Sequence, residues 1–402
     1  MLLATLLAAA AWTAPVPLAL PDYGATASGA FGGSAVAGEF EATASIARRN
    51  GSGLAPFTPI TAADPSETVG ATGLADNGEA IVITVRRHRP TRRIRATIVA
   101  PDGTRGIAHT ISDPSHTSIR PDVAVAADGT VVAAWAWHDP DGWRVQAAVR
   151  RPGQPRFDPP QNLSPSISRL SRWLWIDVAA GTGGHVALTW YYGGAEGLAV
   201  RALRLHSAGP DGRFTAGQSL PAKGGWYDVA LAVGPQGTVQ LAYRTGGFGV
   251  RVPRAKLRAS SGAAGSALPA PVVLASGGRG LNSGRSVVAA YPAEGGPIVA
   301  WLNPGDGDEE GGALQLFVDG EPQILSEAAM QLSLAGGPGR SAVLAWLHAS
   351  TDEVHAAIRP QAGGRFGPDT KLADGGSPSV AMTPAGEAIA LWRDGVAFHP
   401  PG

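Results

Sequence analysis

The chain has no cysteine, which excludes disulfides, thiolate metal sites, a cysteine nucleophile and an anchor acylated on cysteine. Charge is scarce: charged residues are 16% of the sequence, and 32 bases balance 32 acids. No basic stripe breaks that balance, which argues against nucleic acid or an anionic membrane surface as the partner. Only three bases are lysine, Lys223, Lys256 and Lys371. With the abundant Ala and Gly, this arginine excess reads as GC-rich coding and points to a bacterial source. No stretch approaches about 18 apolar residues, so no membrane-spanning helix is expected. The apolar run at residues 1–11, MLLATLLAAAA, is too short to cross a bilayer. Residues 1–14 read as a signal peptide, with Ala14 closing a small-residue cleavage site but no positive segment ahead of it. The alternative is a buried apolar N-terminal strand. No Ser-His-Asp elbow, P-loop or dinucleotide fingerprint is present.

What is present is turns and apolar residues. Of 402 residues, 44% are hydrophobic, ample for a packed core. Gly (55) and Pro (33) are spread through the whole chain, which suits many short strands. These residues also fall into a repeat. Six times a glycine-type turn is followed six residues later by a Trp or Tyr that ends a β-rich run. The pairs are Gly129 and Trp135, Gly184 and Trp190, Gly237 and Tyr243, Gly295 and Trp301, Arg340 and Trp346 (Arg in the Gly place), and Gly386 and Trp392. A weaker copy runs from Gly78 to Thr84. The aromatic residues are 55, 53, 58, 45 and 46 positions apart, a structural period.

Residues 119–164 give the reference unit. PDVAVAA (121–127) alternates as strand one, and Asp128-Gly129 is a tight turn. TVVAAWAW (130–137) is strand two, WRVQAAVR (143–150) strand three, and QNLS (161–164) a short strand four. Four antiparallel strands in about 45 residues form a β-propeller blade. Blades are expected at 67–112, 119–164, 172–222, 226–276, 284–326 and 328–373. Strand three often ends in Arg, followed by a Gly loop and a Phe: Phe157, Phe214 and Phe366. Residues 375–402 supply strands one and two of a further blade, and 38–61 supply strands three and four. The sequence therefore predicts a single all-β domain over 21–402, a seven-bladed propeller whose ring closes through one blade shared by both termini. The repeated aromatic is expected to fill the wedge between neighbouring blades.

These units resemble exported seven-bladed propellers from GC-rich bacteria, of the shape P-D-V-A-V-x-x-D-G-T-x-x-x-x-W, A-A-x-R, G-x-F. Residues 121–135, 147–150 and 378–392 carry it best. The units are also loosely similar to sialidase-type propellers. That resemblance implies Asp-boxes, an Arg triad and a Tyr–Glu nucleophile pair, yet no Asp-box or R-I-P motif is present. The G-H and W-D pairs of WD repeats are missing too. The resemblance therefore implies a fold and an exported location, and no activity.

Propellers usually bind at the channel mouth formed by the loops before strand one and the loops joining strands two and three. On that face Asp122 and Asp177 share a repeat position, and Asp228 falls two residues earlier with the same parity. Three carboxylates there suit a cation or a sugar; alternatively each satisfies backbone donors of a neighbouring loop. Trp173, Trp175, Trp226 and Tyr227 crowd the same places, and Tyr191 and Tyr192 follow strand two. Such aromatics stack on sugars or peptides, or they pack the propeller rim. Asp306, Asp308, Glu309 and Glu310 form an acidic loop that offers oxygen ligands to calcium or stays a solvated cluster. His138 and His348 each end a strand two but bring no partner ligands for zinc. The reading is an exported, secreted or cell-surface monomer. It acts as a non-enzymatic binding or scaffold module for glycan or protein, around blades three to five, and needs no cofactor. A glycosidase-like or lyase-like enzyme and a pure spacer are the alternatives.

Overall fold

The computed structural model describes residues 11–17, 25–30, 33–40, 43–50, 53–55, 58–59, 66–88, 90–167, 174–193, 200–221, 228–245, 256–276, 286–303 and 311–401. Among them there is no α-helix, only one 3-10 turn at Thr182–Gly184, and strands throughout. The strands pair antiparallel into sheet units that follow the sequence period. Unit 2 is Glu67–Leu74, Ala80–His88, Thr91–Val99 and His109–Thr110. Unit 3 is Thr117–Val125, Val131–Asp139, Gly142–Arg150 and Gln161–Asn162. Unit 4 is Leu174–Ala180, Val186–Gly193, Val200–Ala208 and Gln218–Ser219. Unit 5 is Val229–Val233, Thr238–Thr245, Lys256–Ala263 and Val272–Ser276. Units 6 and 7 share one long strand, Glu321–Gly336, whose first half closes unit 6 and whose second half opens unit 7. The rest of unit 6 is Val287–Ala290, Ile298–Asn303 and Gly312–Val318; the rest of unit 7 is Ala342–His348, Glu353–Arg359 and Thr370–Asp374.

The expected shared blade is corrected at both ends. Residues 38–61 do not pair with 375–402. They belong to a sheet of their own, unit 1, made of Ala25–Ala30, Gly33–Phe40 and Thr43–Asn50 with Gly53–Leu54 and Thr58–Pro59 on its far edge. The C-terminal unit 8 supplies three strands itself, Ser379–Met382, Ala388–Trp392 and Gly395–His399. Its fourth is Val16–Pro17, paired with Val396 and Gly395. The reason is local: Arg393 and Asp394 make a two-residue turn that returns the chain at once along strand two. The described residues thus hold eight units. First strands of successive units lie side by side from unit 2 to unit 8, and Ala25–Ala30 lies beside those of units 2 and 8.

The repeat aromatics explain the packing. Trp135, Trp190, Tyr243, Trp301, Trp346 and Trp392 are all buried. Each sits in a core cluster shared with the preceding unit; Trp135 packs with Ile81, Ile83 and Ile94, and Trp346 with Ile298, Leu314 and Leu316. A large ring on the middle strand fills the wedge between two splayed sheets, and truncating one to Ala costs about 3–5 kcal/mol. The turn glycines are needed for their backbone: Gly78, Gly129 and Gly386 have φ of 84°, 88° and 88°. In unit 7, where Arg340 stands in the Gly place, the turn shifts by one residue. Gly339 takes the left-handed conformation, and Ser341 N–H bonds Pro338 C=O.

Ion pairs tie units across the wedge. Arg150, at the end of strand three of unit 3, gives a fork to Glu79 of unit 2 at 2.5 and 3.0 Å and donates Nε to Gln154 C=O. Arg359 repeats this from unit 7, bonding Asp319 of unit 6 and Gly364 C=O. The Arg that so often ends strand three is therefore a latch to the unit before it.

Candidate functional site

Asp122 and Asp177 pair with Ala134 and Thr189, the residues just before Trp135 and Trp190, so they do share one repeat position. The Asp122 side chain points toward the next unit. Asp122 accepts the N–H of Val123 (2.9 Å) and that of Val178 in the next unit (3.1 Å). Asp228 accepts from Ser286 N–H, Ser286 hydroxyl (2.6 Å) and Val287 N–H (3.1 Å), again in the next unit. Burial pushes its pKa up while these bonds pull it down. Ser333 plays the same part in unit 7, accepting Val380 N–H at 3.0 Å. These side chains stitch neighbouring first strands together.

Tyr191 is buried and stacks on Trp175, its cross-strand partner, with ring centres 5.1 Å apart and planes 12° apart. Burial, with the charges of Asp177 and Asp228 behind it, raises its hydroxyl pKa. Tyr192 stacks on Trp190 at 6.3 Å. These rings belong to the packing between units. Trp173, Trp226, Tyr227, Asp306, Asp308, Glu309 and Glu310 lie outside the described residues. His138 packs against Trp143 and His348 bonds Thr351, on units 3 and 7. Among the described residues no three His, Asp or Glu side chains gather in a way that would hold a metal.

The opposite end of the first strands forms a second mouth. A cavity of about 280 Å³ opens there, and units 2 to 8 all reach it. Its rim repeats one turn position, the residue after the start of each first hairpin: Asp76, Ala127, Thr182, Pro235, Pro338 and Pro384. Tyr291, Met382 and Val233 line its wall. A turn fixes why these residues face inward. Gly78 N–H bonds Ala75 C=O (2.9 Å), leaving Asp76 at the outer corner, and Asn77 accepts Glu79 N–H (2.9 Å). Ala126 to Thr130 fold the same way, with Asp128 in Asn77's place.

Asp76 is the one carboxylate in that lining. It makes no side-chain hydrogen bond among the described residues. Its pKa is pushed up to about 6, by burial first and by the charge of Asp128 second. Asp128 itself accepts Thr130 N–H (2.9 Å) and Gly183 N–H (2.7 Å). An under-solvated carboxylate beside a second one favours a cation, or a donor that relieves their repulsion. Sequence reading passed over Asp76. The signal was there in the turn alignment, where every counterpart on the rim is Ala, Thr or Pro.

Four-stranded antiparallel sheets whose first strands meet around a common cavity are a β-propeller-like, all-β architecture. No protein-family model matches the chain, and no curated protein matches it. Solved structures with similar folds include prolyl oligopeptidase B from Galerina marginata bound to a 35mer substrate, at 11% identity and TM-score 0.48. That alignment covers 95% of this chain and 54% of that one, so this chain spans about half its length. The Penicillium chrysogenum alpha-L-arabinanase complexed with arabinobiose aligns at 11% identity and TM-score 0.42, over 84% and 94% of the two chains. Polysaccharide lyase Uly1 aligns at 11% and 0.43, over 82% and 88%. At these values the likeness assigns no activity to this chain.

Proposed function

We propose that this chain is a non-enzymatic binding module on a closed ring of eight blades, and that its ligand seat is the axial cavity rimmed by the first hairpins. The observation that carries this reading is Asp76, a carboxylate without a hydrogen-bond partner among the described residues, in a cavity otherwise walled by Pro, Ala, Gly, Val, Thr, Tyr and Met. The volume of about 280 Å³ suits one or two side chains. The chemistry it favours is an alkylammonium group on an apolar stem, as on a lysine presented by a protein partner. The stem packs on Tyr291, Met382 and the prolines, and the cation meets Asp76 with Asp128 behind it. The engagement of Asp128 by two backbone N–H groups supports binding over hydrolysis, which asks for two working carboxylates. We also propose that the protein is exported, on the strength of its apolar start. A glycan seat would belong instead to the sequence-predicted aromatic residues Trp173, Trp226 and Tyr227, and a glycan array with Trp226→Ala tests it.

The direct test titrates the intact chain with Nα-acetyl-lysine methylamide and with its uncharged norleucine analogue, followed by NMR. The lysine compound is expected to bind saturably near pH 7.5 and more weakly near pH 5, where Asp76 is largely protonated. Asp76→Asn should erase the preference for lysine. A lysine compound that binds no better than norleucine near pH 7.5 overturns the reading.

A further inference from the structure

A repeated device seals the gap between several units, and units 2 and 6 lack it; in unit 2 the equivalent place is held by the exposed Arg105. In units 3, 4 and 7 the Phe after strand three (Phe157, Phe214, Phe366) packs into the cluster shared with the preceding unit. In unit 5 Leu268 takes that place. In units 4, 5 and 7 a glutamine on the preceding unit clamps the plug's backbone. Gln323 bonds both Phe366 N–H and C=O at 3.0 Å. Gln218 bonds both groups of Leu268 at 2.8 Å. Gln161 bonds Phe214 N–H (3.1 Å) and Gly212 C=O (2.7 Å).

Unit 6 has no plug. Its strands three and four are joined by the two-residue turn Asp319-Gly320, both at positive φ (51° and 89°), which leaves no loop to carry one. The clamp on the preceding unit is missing as well. Pairing across the strands places Gln161, Gln218 and Gln323 opposite Ala147, Leu205 and Leu316, which pair in turn with the residue before the repeat aromatic. The same path in unit 5 leads through Ala242 and Ala259 to Val272. Val272 is 61% exposed, and between it, Leu274, Val299 and Phe317 a groove of about 440 Å³ stands open.

The groove's charge says more about its occupant. Among the described residues that line it, only Asp319 and Arg340 are ionisable. Asp319 already serves the buried Arg359 and meets Arg340 only at 3.7 Å, so one carboxylate faces two guanidiniums. The lip therefore carries a surplus positive charge beside an apolar slot.

We propose that this groove between units 5 and 6 is a docking site for a protein partner. The partner inserts a phenylalanine or leucine from a short acidic segment, in the place that units 3, 4, 5 and 7 fill with a plug of this chain's own. The partner's aromatic fills the slot under Val272 and Phe317, and a neighbouring carboxylate pairs with Arg340. This site is separate from the axial cavity.

The probe is the acetylated peptide GGDFGPD, residues 363–369 of this chain with Arg365→Asp, titrated into the intact protein and read by methyl NMR of Val and Leu. Saturable shifts at Val272 and Leu274 are expected. They should vanish for the peptide with Phe replaced by Ala, and weaken when Arg365 is restored. Val272→Asp, at an exposed position that leaves the core intact, should weaken binding at least tenfold, and Arg340→Ala should weaken it and reduce its salt dependence. Absence of binding at millimolar peptide, or binding unchanged by Val272→Asp, overturns the proposal. Binding of decanoate in the groove without binding of the peptide also overturns it, in favour of a small amphiphile.

Discussion

Replacing Asp76 by Asn should stabilise this protein near neutral pH and leave it unchanged in acid. The folded-state pKa of Asp76 is about 6 against an ordinary 3.8, raised by burial first and by Asp128 second. The folded state therefore holds its proton more tightly than the unfolded chain does. Below the unfolded value both states are protonated and no penalty exists. As pH rises from there through about 6, the unfolded chain releases the proton first and stability falls. Above about 6 the penalty is complete. A shift of about two pH units corresponds to about 3 kcal/mol, which partial solvent screening of a half-buried group reduces to about 1–2 kcal/mol. For one cooperative unit of this length that is a rise in Tm of about 1–2 °C. Denaturant unfolding of the parent and Asp76→Asn at about pH 3 and about pH 7.5 gives the comparison. The expected outcome is equal stability at the lower pH and a more stable variant at the higher. Carbon-13 NMR of the Asp76 carboxyl reads its titration midpoint directly. A midpoint near 4, or a variant equally stable at both values, refutes the argument that Asp76 is held under-solvated at the cavity.

Arg150→Ala should cost about 3 kcal/mol in denaturant unfolding, because it strands the Glu79 carboxylate in the wedge between units 2 and 3, and Arg150→Lys should recover only part of it. Gln323→Ala removes both bonds to Phe366 and should cost about 2 kcal/mol, with faster amide exchange at Phe366. Truncation after residue 17 removes Trp12 and the Val16–Pro17 strand, so hydrogen exchange at Gly395–His399 should speed up while exchange in Val131–Asp139 stays unchanged. A chain sequenced from its exported form and starting at Pro15 would keep that strand and lose the contacts of Trp12 and Thr13 with His399 and Phe398.

The sequence by itself determined the unit. A glycine at the left-handed turn position and an aromatic six residues on fix a hairpin and bury its second strand, and both follow from local backbone sterics and side-chain size. It also held the strand-three Arg and the Phe after it, which proved to be the latch and the plug. It misplaced residues 38–61 because Ala25–Ala30 holds only Ala, Thr, Ser and Gly, and Gly33–Phe40 adds just Val36 and Phe40 as large apolar residues, too few to mark the pair as strands. Parity correctly put Asp122 and Asp177 on equivalent positions, yet parity names a face and not what lies across it. Only the tertiary structure decided that Asp122 and Asp228 face the next unit's N–H groups, that Asp76 faces a cavity, and that Val272 faces nothing. Those outcomes depend on which units become neighbours and how far apart their sheets splay. That is a property of the assembled sheets, since each contact joins residues more than 50 positions apart along the chain.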